Sequence, residues 1–177
     1  MNEVVDKRMK GVIFNGYANF IRKKGGNLAL EQCSKEIGLD LKKLVDEKWY
    51  PDTYSLMTIQ WVAKTYGSDG CRQMGHATVA QRGVISAVAR LAGVKRILES
   101  AQTELNDTIN FGKVACEFNE KGATMILRNL VADPIECEVW TGVFEGLLKI
   151  SGSKGTVRKL TCQQKGAESC IYELVWK

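Results

Sequence analysis

Three of the six cysteines stand where they could act together. Cys162 and Cys170 flank a polar turn containing Lys165-Gly166-Ala167, which would let the two thiols face each other across a hairpin. Cys137 falls in the first turn or so of a strongly apolar helix, where the positive helix end would lower a thiol pKa. Thiolates from a helix start and a hairpin are the kind of set that holds a tetrahedral zinc. The alternative is that each is a small buried hydrophobe, as free cysteine often is. Spacing leaves both readings open. Cys33, Cys71 and Cys116 lie at helix or strand positions without partners and are expected in the core.

Other reacting constellations are missing from the sequence. It has no phosphate loop, no dinucleotide fingerprint and no GxSxG elbow, so no nucleotide is expected. The one histidine, His76, excludes a two-histidine metal site or a histidine relay and reads as a packed or surface helix residue. Glu99 and Glu104, or Asp46 and Glu47, read as solvated faces. Size and polarity single out Trp61, His76 and Trp140 as candidates to line any pocket.

The elements that would position these residues fall into a helical half and a β-rich half. Apolar residues Val12, Ile13, Tyr17, Phe20 and Ile21 share one helix face between Met9 and Lys24, and Gly25-Gly26 stops that helix. A second helix fits Leu28 to Ile37, closed by Gly38. Asp40 would cap a third, from Leu41 to about Glu47. Trp49-Tyr50-Pro51-Asp52 reads as a turn, with Pro51 opening a helix that Gly67 to Gly70 ends. Further helices fit Cys71 to Leu91, with an interruption at Gly83, and Val94 to Asn106, with Gly93 between them.

Near Phe111 the period changes. Lys113 to Asn119 and Ala123 to Val131 read as a hairpin around Glu120-Lys121-Gly122. Asp133-Pro134-Ile135-Glu136 has the form of a helix start, with Asp as cap, Pro at the first position and Glu three residues after the cap. The helix after it, through Ile150, has too wide an apolar arc for a surface helix. Its Gly142 and Gly146 would admit another backbone closely. In the last hairpin, Thr156 to Gln163 and Ser169 to Trp176, placing Cys162 opposite Cys170 would pair Leu160 with Tyr172 and Thr156 with Trp176.

Composition sets the frame for these elements. The chain has 177 residues, 45 % hydrophobic and 25 % charged, which excludes a disordered chain, a coiled coil or a collagen-like repeat. A single α+β domain over 1–177 is expected, with 1–107 mainly helical and 108–177 forming hairpin, buried helix and hairpin. The net charge of +5 is dispersed. Arg22-Lys23-Lys24 is too short a run, without interleaved aromatics, for a nucleic-acid track. No apolar run approaches the ~18 residues of a membrane span, and the N-terminal MNEVVDKRMKG lacks a signal-peptide core. These features point to a cytoplasmic protein with reduced thiols.

The stretch Cys137-Glu138-Val139-Trp140-Thr141-Gly142-Val143-Phe144-Glu145-Gly146-Leu147-Leu148, then Ser151-Gly152, Cys162, Gly166, Cys170 and Tyr172, resembles the 4-vinyl reductase domain. In the phenol-sensing regulators that contain this domain, three such cysteines and an acidic residue hold a structural zinc. The resemblance therefore implies zinc on Cys137, Cys162 and Cys170. The acidic ligand precedes the second cysteine by three residues in those sensors, and Lys159 stands there in this chain. Lys10-Gly11-Val12-Ile13-Phe14-Asn15, the Tyr50-Pro51 turn with Tyr54, and Gly83 resemble a family of uncharacterised myxobacterial and delta-proteobacterial proteins of about this length.

Both resemblances lead to one superfamily, with the haem–nitric oxide binding domains and the TRAPP trafficking subunits. It implies a helical N-terminal part packed on a small antiparallel sheet, an apolar pocket in many members, and frequent dimers. Its haem branch requires a proximal histidine and Tyr-x-Ser-x-Arg. No such motif occurs here, so no haem is expected. The expected function is a non-enzymatic bacterial module that binds a small apolar molecule or senses it, signalling through a protein partner and forming a homodimer. The alternative is a protein-interaction or scaffold subunit without ligand, similar to trafficking-complex subunits.

Overall fold

The computed structural model describes residues 6–80 and 83–177, without the side chains of residues 80–92. The N-terminal leader reading falls partly on residues 1–5, and the expected interruption at Gly83 borders residues 81–82; both stretches lie outside the described residues. The chain runs β1 (Arg8–Lys10), α1 (Gly11–Ile37), β2 (Trp49–Pro51), α2 (Thr53–Ala80) and α3 (Gly83–Thr108). It continues with β3 (Lys113–Asn119), β4 (Gly122–Arg128), α4 (Glu136–Ile150), β5 (Gly155–Thr161) and β6 (Cys170–Trp176). A helical N-terminal part thus meets a four-stranded antiparallel sheet of order β3-β4-β6-β5, the expected α+β architecture.

Each of the first three helices is two helices joined at one glycine. Gly26 (φ 73°, ψ −173°), Gly67 (φ 75°, ψ 179°) and Gly93 (φ 78°, ψ 164°) share a backbone conformation that other residues scarcely enter. A single such residue turns the axis without a loop. The expected breaks at Gly25-Gly26, Gly67 and Gly93 are therefore present as joints. Gly38 closes α1 with a left-handed cap, its N–H donating to the Ser34 carbonyl.

Two expectations for residues 40–52 are corrected. Residues 41–47 form turns, because the Asp40 carboxylate accepts from the Lys42 N–H in a local turn and caps no helix. Trp49-Tyr50-Pro51 is the strand β2, paired with β1 in the register Arg8 with Pro51 and Met9 with Tyr50. The Asp52 carbonyl then accepts from Ser55 and Leu56 as α2 begins.

α4 is the hub of the core. The Glu136 carboxylate accepts from the backbone N–H groups of Ala132 and Asp133, while Asp133 accepts from Ile135 N–H, so the expected capping pattern guides the entry to the helix. A Cβ on Gly142 would collide with the Arg72 carbonyl, and one on Gly75 with the Val139 carbonyl, so α2 and α4 cross backbone to backbone. On its other side α4 lies on the sheet, with the Phe144 and Tyr172 rings 5.0 Å apart edge to face.

Candidate functional site

The final hairpin does not have the expected register. Tyr172 pairs with Lys159 and Ile171 with Thr161, leaving Leu160 as a bulge residue that is 47 % exposed. Trp176 pairs with Gly155 and Val175 with Thr156, so the Leu160–Tyr172 and Thr156–Trp176 pairings are not formed. The bulge changes which face follows it. Without it, positions 159 and 162 would lie on opposite faces of the strand. With it, Lys159 and Cys162 both reach the face of Tyr172 and Cys170.

That face meets the start of α4, and the three cysteines come together there. The Sγ atoms of Cys137, Cys162 and Cys170 all lie within 4.8 Å of one another, and Cys137 and Cys162 are 3.6 Å apart. All three residues are buried. The Gln163 N–H donates to Cys170 Sγ at 3.2 Å, and the Tyr172 hydroxyl donates to the Cys137 carbonyl at 3.3 Å. Burial pushes the Cys170 thiol up to about 12 and raises Cys137 as well, correcting the expectation that the helix end lowers it. Burial also pushes Cys162 up, but hydrogen bonds from Cys137 and the Gln164 N–H, with the Lys159 charge, bring its net shift below the usual thiol value.

The other cysteines are apart from this cluster. Cys33 and Cys71 are fully buried, and Cys116 is half-buried on β3. Burial raises Cys33 to about 12 and both Cys71 and Cys116 to about 11, as expected of unreactive core thiols.

The three pocket candidates line separate depressions. Trp61 borders a shallow hollow with Met57 and Lys64. His76 borders an open groove with Glu145, Lys149 and Gly152, where burial and then Lys149 lower its pKa. Of the three, Trp140 alone lines a largely apolar cavity of about 50 Å³, with Ile13, Ile59, Val139 and Val143.

Sequence reasoning missed the polar part of that cavity, which is formed by Tyr17, Asp52, Ser55 and Glu136. Burial raises the Tyr17 phenol above its ordinary value, against a Ser55 hydrogen bond. It also raises Asp52, against Lys7, and Glu136 to about 6. A polar residue on an apolar helix face was the available signal for Tyr17 and Ser55. Nothing in the sequence marked Asp52 or Glu136, which read as turn and cap.

Two neighbouring spaces complete the site. A second cavity of about 60 Å³ shares Leu105 and Val143 with the first. An outer groove of about 590 Å³ shares Asp52, Phe111 and Leu130 with it. Groove, first cavity and second cavity thus adjoin one another, with Asp52 in the wall common to the groove and the first cavity.

A family model described as a protein of unknown function (DUF2378) matches residues 3–177. The chain belongs to this family. No curated protein matches it in sequence. Among solved structures, an H-NOX protein from S. oneidensis in the Fe(II)NO ligation state superposes with a TM-score of 0.73 at 16 % identity, covering 96 % of this chain and 99 % of that one. An oxygen-binding H-NOX domain related to soluble guanylate cyclases, solved as its oxygen complex, gives 0.71 at 14 % identity, covering 96 % and 95 %. These similarities establish the H-NOX-like fold. They agree with the fold expected from the sequence. No helix among the described residues is long and apolar enough to cross a membrane.

Proposed function

We propose that this member of the family is a non-enzymatic sensory module that binds a small molecule in the groove and cavities around α4 and signals through a protein partner. The observation that carries the reading is the group of adjoining spaces around α4, a groove of about 590 Å³ and cavities of about 50 and 60 Å³ that share wall residues. Support comes from the H-NOX-like fold, whose solved examples include oxygen and nitric oxide complexes. The cysteine order and the small-residue helix α4 support kinship with the 4-vinyl reductase domain. We further propose a bacterial, cytoplasmic homodimer on the same superfamily grounds.

The residues present do not fit haem. His76, the one imidazole, faces Lys149 and Glu145 in an open groove whose one large apolar residue is Leu148, too little to cover the face of a porphyrin. The two inner cavities, about 50 and 60 Å³, are far smaller than the roughly 300–1,000 Å³ of an organic ligand site. A smaller occupant fits them.

The three cysteines fit a structural zinc. A tetrahedron with Zn–S bonds of ~2.3 Å has edges of about 3.8 Å, close to the 3.6 Å between Cys137 and Cys162. Cys137, Cys162 and Cys170 would supply three of four positions. Such a set with Zn²⁺ carries one net negative charge, and Lys159 is the cation on that face to balance it. Zinc there would tie the start of α4 to the end of the last hairpin.

Native mass spectrometry of freshly purified protein tests the reading, since it reports small-molecule, zinc and dimer masses together. A retained organic mass is the expected result, and a bare chain would favour the scaffold alternative. For the metal, Cys162→Ser is expected to lose zinc and lower the melting temperature; unchanged zinc content would reject the site.

A further inference from the structure

An antiparallel sheet with helices on one side turns polar residues to the other. Here the helix side carries Val114, Met125, Leu127, Tyr172 and Leu174, all buried in the core. The opposite side is not polar throughout. Ala115, Ile126, Ile171 and Val175 alternate onto it, the bulge residue Leu160 joins them, and none of the five packs into the core. Leu160 and Val175 are 47 and 37 % exposed.

The register sorts this outer face into rows. Lys113 pairs with Arg128 at one end. Two residues on, Ala115, Ile126, Ile171 and Thr161 stand side by side across the four strands. Two residues further come Glu117, Thr124, Glu173 and Arg158. A basic row and a row with two carboxylates thus flank an apolar one at equal distances of about 7 Å. Like charges directly opposite each other, as Lys113 and Arg128 are, destabilise a sheet. Among the described residues neither forms an ion pair, and nor does Glu117, whereas Arg158 bonds Glu173 at 2.9 Å.

We propose that this face is the surface on which two copies of the chain meet, related by a two-fold axis that runs along the apolar row. The proposal rests on the homodimer reading above and names its interface. Such an axis lays each apolar row on its counterpart and exchanges the two charged rows. Lys113 then faces Glu117 of the partner subunit, and Arg128 comes toward the partner's Glu173. A different partner would need the same charges in reverse order at the same spacing; a second copy supplies them by symmetry. Four strands of seven residues make a face of roughly 450 Å² in projection, below the ~800 Å² per partner of a standard interface. The dimer is therefore weak and dissociates in the micromolar range.

Sedimentation equilibrium of the full chain up to about 200 µM, at low and high salt, tests this. A reversible dimer that weakens with salt is expected. Glu117→Lys sets like charges against each other at both symmetric contacts and is expected to weaken the dimer about tenfold or more. Adding Lys113→Glu reverses both members and is expected to restore it. Within one chain the two positions lie about 14 Å apart along β3, so the rescue cannot be internal. Ile171→Lys, in the apolar row, is expected to leave only monomer. Thermal melts of each variant guard against misfolding. A dimer that neither Glu117→Lys nor Ile171→Lys weakens overturns the proposal and leaves the homodimer to another face. A double variant that stays monomeric also overturns it. A wild type that is monomeric throughout removes the interface and the homodimer reading together.

Discussion

Lys159 shows how much one residue can mean once its face is known. By the resemblance to the 4-vinyl reductase domain it stands where an acidic ligand is expected and cannot coordinate metal while charged. In the fold it shares a face with Cys162, Cys170 and Tyr172, where its charge favours thiolates. His76 offers a separate test at this scale. Burial, then Lys149, lowers its pKa from the usual 6.5, while Glu145 opposes them, so the imidazole is held neutral in the fold. A depressed folded pKa contributes stability that is present above the unfolded value and lost as pH falls through the folded one. The melting temperature of the wild type relative to His76→Gln should therefore decline between pH 7 and 5. A difference independent of pH would mean that the imidazole is not shielded.

Among the elements, the crossing of α2 over α4 is the contact most sensitive to a single atom. At Gly142 a new Cβ would collide with the carbonyl of Arg72, which cannot swing aside as a side chain can. Gly142→Ala gains about 1 kcal/mol of helix propensity but forces the helices apart, a strain of roughly 1–3 kcal/mol or more. Net destabilisation by chemical denaturation is expected. Gly67→Ala isolates the other role of glycine, because open space surrounds that position while its φ is +75°. It should cost about 1–3 kcal/mol through backbone strain alone. A neutral Gly67→Ala would show that the joint can relax. The Arg72–Glu145 double hydrogen bond links the two helices beside the same crossing.

For the molecule as a whole, the site lies where distant parts of the chain meet. Leu105 of α3 and Val143 of α4 are common to both cavities, the first otherwise lined mainly by α1, α2 and the start of α4 and the second mainly by α3 and the end of α2. Val143→Ala would thin the wall they share. Loss of two buried methyl groups should cost about 2 kcal/mol, measured by denaturant titration, and should let longer ligands enter by joining the two spaces. An unchanged length preference would place the barrier at Leu105. The cysteine cluster is also coupled to the outer groove, since Gln163 lines it and donates its N–H to Cys170. Whatever holds the cysteines therefore holds one wall of the groove.

Several of these features were legible before any coordinate. Glycines at 26, 67 and 93 end one apolar stripe and begin another, so the joints were visible, and the period change near Phe111 marked the sheet. The capping pattern at Asp133–Glu136 and the close-approach glycines of α4 are local and were also readable. β2 was misread because a Pro after two aromatics favours a turn until a partner strand is present, and β1 supplies that partner from far along the chain, Met9 and Tyr50 being 41 positions apart. The bulge at Leu160 was hidden for a similar reason: register depends on both strands and on what the face must cover. The cysteine triad was nameable by type and order, but its closeness depended on that bulge. Asp52 and Glu136 were invisible as a pair, since they come from the starts of α2 and α4 and only helix packing brings both to one cavity. Local propensity and spacing thus determined the elements and the thiol chemistry, while tertiary packing decided the register, the cavity and the charge inside it.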